Sequence, residues 1–482
     1  MGNRLRFLLN DEDVTTEVGA GVTVLDYLRG HRRLYGTKIG CREGDCGACT
    51  VLVGTWRDGD VRYRSMTSCL MPLGNAHGKH LVTIEGLNLS EGLTPAQQAM
   101  CDEGASQCGF CTVGFVVSLA GHALDARDST PAGAIAAVDG NICRCTGYKS
   151  IERAASTVSR GLQGRDGRDR VGWLVARGFL PPWWREVPAR LRRLHQECGA
   201  AAAAANGSGV VLGGGTDLYV QRPEELAAAA VRFAFDDPAL QGIRVQNGRC
   251  TVGAAATVTD LVESPEFVAM FPRLVAHVKL VSSTPIRNMA TIGGNFVNAS
   301  PIGDLTIFFL GLDAEIELRG RRGARRVPLR EFYRGYKTLD RDPDEILTSV
   351  SFLVPGPRTH FNFEKVCKRT HLDIASVNAA LRVELADASA NGGAPIIVRA
   401  AAAAGGVAPV PLYLAATSAF LRGKSVEAAT VIAAADIARG EIAPISDARG
   451  TAEYKALLLQ QLVYAHFLTL FPQQIRWEAL VS

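Results

Sequence analysis

The chain has 482 residues, 47% of them hydrophobic and 21% charged, with a formal net charge of +4. That length exceeds what one hydrophobic core serves and predicts roughly three or four domains, while the balance is that of an ordinary water-soluble globular protein rather than a disordered or nucleic-acid-coating one. No run reaches the ~18 consecutive apolar residues of a membrane-spanning helix, and "MGNRLRFLLNDEDV" lacks the apolar core of a secretory leader, so no membrane association and a cytoplasmic location are expected.

The first 87 residues read as a β-rich unit. "RLRFLLN" and "VTTEV" predict a hairpin around the acidic "NDED", and "TVLDYLRGH" places Val24, Leu25 and Leu28 on one helical face behind a Thr23 cap. A cysteine loop, "CREGDCGACT" at 41–50, precedes strand-like "CTVLVGTW", "VRYRSMTSC" and "HLVTIEGL". A helix packed on a mixed sheet is expected.

Residues 88–165 read as helical with a faint internal repeat. Thr94-Pro95-Ala96-Gln97 supplies a cap, a Pro at the first helical position and a capping-box Gln, and Thr130-Pro131 repeats the cap and the Pro. Each helix runs into a cysteine pair and a further helix, which predicts a four-helix bundle with a site between its halves. Residues 166–190 mix glycines, charges and Pro181-Pro182, and read as a linker crossing the surface. The alanines at 200–205 carry no chemistry. Residues 191–356 alternate strands such as "GVVLGG", "AEIELRG" and "ILTSVSFLV" with helical "TVTDLVESPEFVAMF" and "LTIFFLGL", an α/β or α+β pattern, and the basic "LRGRRGARRVPLR" reads as a solvated turn between strands. Residues 357–482 add "AALRVEL" and "PIIVRAAAAAGGVAP" as strands, then the long helix "AEYKALLLQQLVYAHFLTLF", a last α+β unit.

Twelve cysteines in a reducing compartment, where clustered, suggest metal ligation more than disulfides. Cys41, Cys46 and Cys49 have the spacing C-x4-C-x2-C, with Cys69 beyond a strand pair, which is the plant-type [2Fe–2S] arrangement. Zinc sites favour two short paired spacings instead. Gly40, Gly44 and Gly47 let the backbone curl its N–H groups toward an anionic cluster. Cys108, Cys111, Cys143 and Cys145, in "QCGFC" and "NICRC", leave zinc and iron–sulfur both open on spacing alone.

Two glycine loops follow. "VVLGGGTDLYV" at 210–220 is in the first instance a strand ending in a tight turn, and in the second a phosphate-binding loop whose Gly213–Thr216 amides face a ligand. It is not the G-x-G-x-x-G dinucleotide fingerprint. The second, "TPIRNMATIGGNFVNASPIGD" at 284–304, suits a dinucleotide pyrophosphate gripped from two sides.

Together, "CREGDCGACT", "QCGFCTVGF", "NICRCTGY" and the two glycine loops resemble the molybdenum hydroxylase family, over nearly the whole chain. The resemblance implies an α+β multidomain protein: a β-grasp ferredoxin-like domain, a four-helix iron–sulfur bundle, a two-part α/β FAD-binding domain and a C-terminal α+β flavoprotein domain. It implies Cys41, Cys46, Cys49 and Cys69 as ligands of one [2Fe–2S] cluster, and Cys108, Cys111, Cys143 and Cys145 of another. For FAD it implies Val211, Leu212, Gly213, Gly214, Gly215, Thr216, Asp217 and Leu218 on the pyrophosphate side, and Thr291, Ile292, Gly293, Gly294 and Asn295 as the second loop. Val297 is implied near the isoalloxazine, Asp304 as a hydrogen-bond partner, and Val281, Leu347 and Lys365 as further contacts. Gln107 matches the position facing the partner's molybdopterin. Val113 stands where the family commonly has proline, and Cys101, Cys198, Cys250 and Cys367 match no ligand position. In "KRTHLDIASVN", Thr370, His371 and Leu372 replace a frequent acidic run near the flavin.

The implied function is an electron wire. Electrons leave a molybdenum cofactor in a large partner subunit, pass the helical-domain cluster, the ferredoxin-like cluster and FAD, and reach NAD⁺, in a heterotetramer of two small and two large chains. Purine oxidation (hypoxanthine or xanthine) occurs on the partner, so this chain supplies no residue to the hydroxylation itself. Rival expectations are a partner acting on another N-heterocycle or an aldehyde, a stand-alone diaphorase, and a zinc-stabilised scaffold without redox function.

Overall fold

A computed structural model describes residues 4–125, 128–198, 209–369, 372–387 and 394–481. The alanines at 200–205 and the Thr370-His371 pair lie outside these described residues. The chain divides into two compact units, Met1–Pro238 with Ser283–Ala290, and Ala239–Ser282 with Thr291–Ser482.

In the first unit, β1 (Leu5–Leu9) and β2 (Glu12–Thr16) form the expected hairpin, and with β3 (Thr50–Arg57), β4 (Asp60–Thr67) and β5 (His80–Val82) they make a sheet of order β2-β1-β5-β3-β4. Only the β1–β5 pair is parallel. The short α1 (Val24–Asp26), capped by Thr23, continues as a π turn through His31 and buries Val24, Leu25 and Leu28 against the sheet residues Phe7, Val51 and Val53. Apolar side chains at these spacings share one helical face, so the sheet side of the helix excludes water.

Four helices follow: α2 (Pro95–Asp102), α3 (Thr112–Leu124), α4 (Pro131–Ala137) and α5 (Lys149–Gly161). The Thr94/Gln97 capping box forms at α2, and Thr130 caps α4 by accepting from the Gly133 amide. Both caps satisfy N–H groups that a helix start leaves unpaired.

The segment expected to cross the surface does not. Residues Arg170–Ala176 form α6, Pro182–Glu186 a 3₁₀ turn, and α7 spans Val187–Cys198. Leu174, Leu180 and Trp184 are fully buried in the helical-domain core beside Phe115 and Leu119. Trp184 packs 5.1 Å from Tyr63 and 5.3 Å from His80, ring centre to ring centre. The three apolar residues fall on a helix, a loop and a 3₁₀ turn, so no single period reveals them. The unit closes with a parallel pair, β6 (Val210–Leu212) and β7 (Val231–Phe233), and with the inserted Ser283–Ala290 segment.

The second unit contains two sheets. Strands β8 (Ile243–Gln246), β9 (Arg249–Gly253), β10 (Glu315–Gly320), β11 (Gly323–Pro328) and β12 (Ile346–Leu353) form an antiparallel sheet of order β11-β10-β12-β9-β8. The basic run at 318–330 is the β10–β11 hairpin, which turns at Gly323 (φ +110°) with its arginines largely exposed, as expected. Helices α8 (Val258–Glu263), α9 (Ile292–Asn298) and α10 (Asp304–Gly311) accompany it. The other sheet is antiparallel: β13 (Thr359–Val366), β14 (Val377–Leu385), β15 (Ile397–Gly405) and β16 (Leu412–Tyr413). It packs against α10 and against the C-terminal helices α11 (Ala415–Leu421) and α13 (Ala452–Leu470), with α12 (Ala428–Gly440) on α13. Among the described residues no helix is long and apolar enough to cross a membrane.

Candidate functional site

Cys41, Cys46 and Cys49 sit on the loop between the π turn and β3, and Cys69 follows β4. Their thiols pair two by two, Cys41 with Cys46 and Cys49 with Cys69. The Glu43 amide donates to Cys41 Sγ at 3.3 Å. The hydrogen bond from the Cys46 thiol, with the amides of Glu43, Cys46 and Asp45, outweighs burial and holds Cys41 down to about 5. The Cys69 thiol does the same for Cys49, and in each pair the donating partner is pushed up. Gly44 and Gly47 occupy the left-handed region (φ +81° and +67°), which side chains resist. A Cβ on Gly40 would lie 2.5 Å from Cys46 Sγ, so only glycine lets the backbone come this near the sulfur.

The second set pairs likewise. Cys145 and Cys108 place their sulfurs 3.7 Å apart, and Cys111 faces Cys143. Cys143 Sγ accepts from the amides of Cys145 and Thr146, both at 3.4 Å, and from the Thr146 hydroxyl at 3.2 Å. Burial pushes Cys143 up, but these donors prevail and its pKa is lowered; burial and the Cys143 sulfur push Cys111 up to about 12. Among the described residues no group of three or more His, Cys, Asp or Glu side chains is placed to hold one metal ion. Sulfurs grouped in twos, with amide donors aimed at them, fit what a two-iron cluster would need, two thiolates for each metal.

The two loops touch. The Ile142 amide donates to the Cys46 carbonyl at 2.9 Å. Asn141 Nδ2 donates to the Gly47 carbonyl at 3.1 Å, while its Oδ1 accepts from Ser118 Oγ at 2.8 Å. Sequence reading passed over Asn141. Its only signal is an amide side chain in a Gly-Asn pair next to a cysteine run. Tyr148, left-handed at φ +70°, accepts the Cys143 amide on its hydroxyl at 3.1 Å.

The first glycine loop abuts the Cys69 segment. Asn75 Nδ2 donates to the Gly213 carbonyl at 3.0 Å. A Cβ on Gly214 would lie 1.8 Å from the Met289 carbonyl oxygen, and one on Gly215 (φ +84°) 2.6 Å from that of Leu70, the residue after Cys69. Leu212 is buried, Val211 and Asp217 are exposed, and Thr216 and Leu218 are half-buried at the turn.

In the second unit, Thr291 Oγ1 accepts the Gly294 amide at 3.1 Å, and a Cβ on Gly293 would lie 2.8 Å from that of Ala254. Asn295 Oδ1 accepts from both the amide and the hydroxyl of Thr306. Ile292 is buried and Val297 exposed. Asp304 takes Lys365 Nζ at 2.7 Å and Asn378 Nδ2 at 2.6 Å, and Lys365 also donates to the Leu280 carbonyl beside Val281. Burial pushes the Asp304 carboxyl up against the pull of Lys365 and Asn378. Val281 and Asp304 line one cavity with His277, Phe308 and Phe363. Val281, Asp304 and Lys365 thus share a neighbourhood, while Leu347 is buried in β12 opposite Leu318.

Four family models match the chain in succession: a 2Fe-2S iron-sulfur cluster binding domain over 7–74, a [2Fe-2S] binding domain over 83–156, an FAD binding domain in molybdopterin dehydrogenase over 192–355, and a CO dehydrogenase flavoprotein C-terminal domain over 363–470. Xanthine dehydrogenase 1 of Arabidopsis thaliana is 28% identical over 93% of this chain and 38% of its own length. The xanthine dehydrogenase of Blastobotrys adeninivorans is 27% identical over 97% and 41%. The chain therefore spans about two fifths of the length of these curated relatives. Among solved structures, reconstituted CO dehydrogenase from Oligotropha carboxidovorans aligns with a TM-score of 0.50 at 29% identity, over 55% of this chain and 92% of that one. The carbon monoxide dehydrogenase of Hydrogenophaga pseudoflava aligns at 0.50 and 27%, over 57% and 94%.

Proposed function

From a chain whose domains are the iron–sulfur and flavoprotein domains of the molybdenum hydroxylase family, we infer an electron-transfer subunit that links a molybdenum centre in a partner chain to NAD⁺ during oxidation of a purine such as hypoxanthine or xanthine. Cys41, Cys46, Cys49 and Cys69 hold one [2Fe–2S] cluster and Cys108, Cys111, Cys143 and Cys145 the other. The glycine loop Val211–Leu218, the Thr291–Asn295 loop, Val281, Val297, Asp304, Leu347 and Lys365 serve FAD. When bound, the clusters carry single electrons and the flavin collects two for release as hydride.

The observation that carries this reading is the contact of the Leu70 carbonyl with Gly215, which makes the segment bearing Cys69 one wall of the glycine loop. The Cys46–Ile142 hydrogen bond makes the equivalent link between the thiol loops. Backbone contact therefore runs from the helical-domain thiols through the ferredoxin-like thiols to the glycine loop, the order a wire requires. This chain's residues contribute donors to the sulfurs and burial, the levers that set cluster potentials. The exposed Cys108, Cys145 and Gln107 lie at the end of that series, where a molybdopterin-binding partner would dock, in an assembly of two small and two large chains.

Xanthine as substrate draws support from relatives of that name at 28% and 27% identity. The likeness to CO dehydrogenases favours a second reading, the same electron-transfer part serving a partner with another substrate. The test is to assemble the chain with its molybdenum partner and follow NAD⁺ reduction by xanthine, by an aldehyde and by CO. Turnover with xanthine supports the first reading, and turnover only with another donor transfers the assignment to the second. A colourless chain with stoichiometric zinc ends both.

A further inference from the structure

Ser283–Ala290 belongs by sequence to the flavin block, yet it packs with the iron–sulfur unit. There it touches one glycine in each of three loops. Pro285 Cδ lies 2.6 Å from where a Cβ on Gly140 would stand, in the loop leading to Cys143. Ile286 Cδ1 lies 2.6 Å from that on Gly44, between Cys41 and Cys46, and the Met289 carbonyl 1.8 Å from that on Gly214. The segment is anchored between these contacts. Asn288 Nδ2 donates to the Ser65 carbonyl at 2.8 Å, and the Thr67 hydroxyl reaches Met289 Sδ at 3.6 Å. At its start one carboxylate takes two donors: Asp139 accepts the Thr284 amide on Oδ1 at 2.8 Å and Arg287 on Oδ2 at 2.7 Å. That ion pair is mostly covered, its side chains 12% and 26% exposed.

We propose that Ser283–Ala290 is a spacing bar that sets the separation of the two thiol loops and the glycine loop, with Arg287 as the positioning residue that seats it on Asp139. Direct hydrogen bonds join these glycine-rich loops in pairs, Ile142 to Cys46 and Asn75 to Gly213, and Ser283–Ala290 adds a neighbour that touches all three at once. A rigid shared neighbour is the means by which a supporting shell holds sites in register. Asp139 is four residues before Cys143, so seating Arg287 there places the bar against the thiol run itself. The bar's purpose rests on the electron-transfer reading; its geometry does not.

The test compares Arg287→Ala, Arg287→Lys and Asp139→Asn with the unaltered chain. In Arg287→Ala and Asp139→Asn both [2Fe–2S] EPR signals persist, the magnetic splitting between the two reduced clusters is lost, the potential of the Cys143-bearing cluster shifts, and amide exchange at Thr284 and Ile142 accelerates. Arg287→Lys, which keeps the charge, restores splitting, potential and exchange. Unchanged splitting, potential and exchange in the alanine variant overturn the proposal, as does a loss of stability that lysine fails to restore. Should the unaltered chain hold no clusters, the function proposed above falls, and the exchange measurement still decides whether Arg287 seats the bar.

Discussion

Ile142 donates its amide to the carbonyl of Cys46, and the next residue along its chain is Cys143. A thiol of each loop is thereby joined through backbone and a single hydrogen bond, with no intervening side chain to adopt another rotamer. Asn141 reinforces the junction from a buried position in which both ends of its amide are engaged. A junction of that kind favours two clusters that report on one another.

Replacing Cys143 by serine removes one proposed ligand of the helical-domain set, and the reduced protein is expected to keep one of two [2Fe–2S] EPR signals. Cys69→Ser is expected to remove the other. Retention of both signals in either variant refutes the ligand assignment.

Gly214 has no room for a methyl group, because the obstacle is a backbone oxygen, that of Met289. Gly214→Ala is expected to cost about 1–3 kcal/mol, the usual range for overpacking, and to release bound flavin. Gly356→Ala has nothing near its added carbon and should stay within about 0.5 kcal/mol. Denaturant unfolding and flavin absorbance distinguish the two.

Lys365 is only 1% exposed and its ammonium meets Asp304, itself 13% exposed. Lys365→Met leaves a covered carboxylate without its cation and is expected to cost about 3–5 kcal/mol. Adding Asp304→Asn should recover part of that loss. If the two changes add without coupling in a double-mutant cycle, the ion pair is not the stabilising unit.

Burial lowers His80 from 6.5 to about 3. Its Nε2–H donates to the Asn10 carbonyl and its Nδ1 accepts the Tyr63 hydroxyl, an arrangement that uses the neutral ring. Between pH 6.5 and about 3 the unfolded chain binds a proton here that the folded chain does not. The stability from this group is therefore complete above 6.5 and is lost as pH falls through that window. Thermal melts of the parent and of His80→Gln should converge on acidification, and parallel curves would contradict a neutral His80.

What the sequence made legible was local. Cysteine spacing, the caps at Thr94 and Thr130, the hairpin around residues 10–13 and the glycine runs each declare themselves within a dozen residues. Contacts over long separations leave no such mark: Asn288 meets Ser65 across 223 positions and Arg287 meets Asp139 across 148. Residues 166–190 misled for a related reason. Glycines, charges and paired prolines signal a surface path, whereas Trp184 lies in a core assembled from residues 52–180. The loop following Lys365 departs from the family pattern where Thr370, His371 and Leu372 replace an acidic run, and the Thr370-His371 pair lies outside the described residues.

The connectivity of the two units also imposes an order of manufacture. A ribosome delivers residues 239–282, which belong to the second unit, before it delivers 283–290, which complete the first. Domains generally fold as units from the N-terminus during synthesis, but here the N-terminal unit waits for residues 239–282, which are assigned to the other. Until then Gly44, Gly140 and Gly214 lack the atoms that later cover them. A metal-loading step acting on the nascent chain would meet these glycines without their later neighbours, while Cys108 and Cys145 are exposed in the finished fold as well.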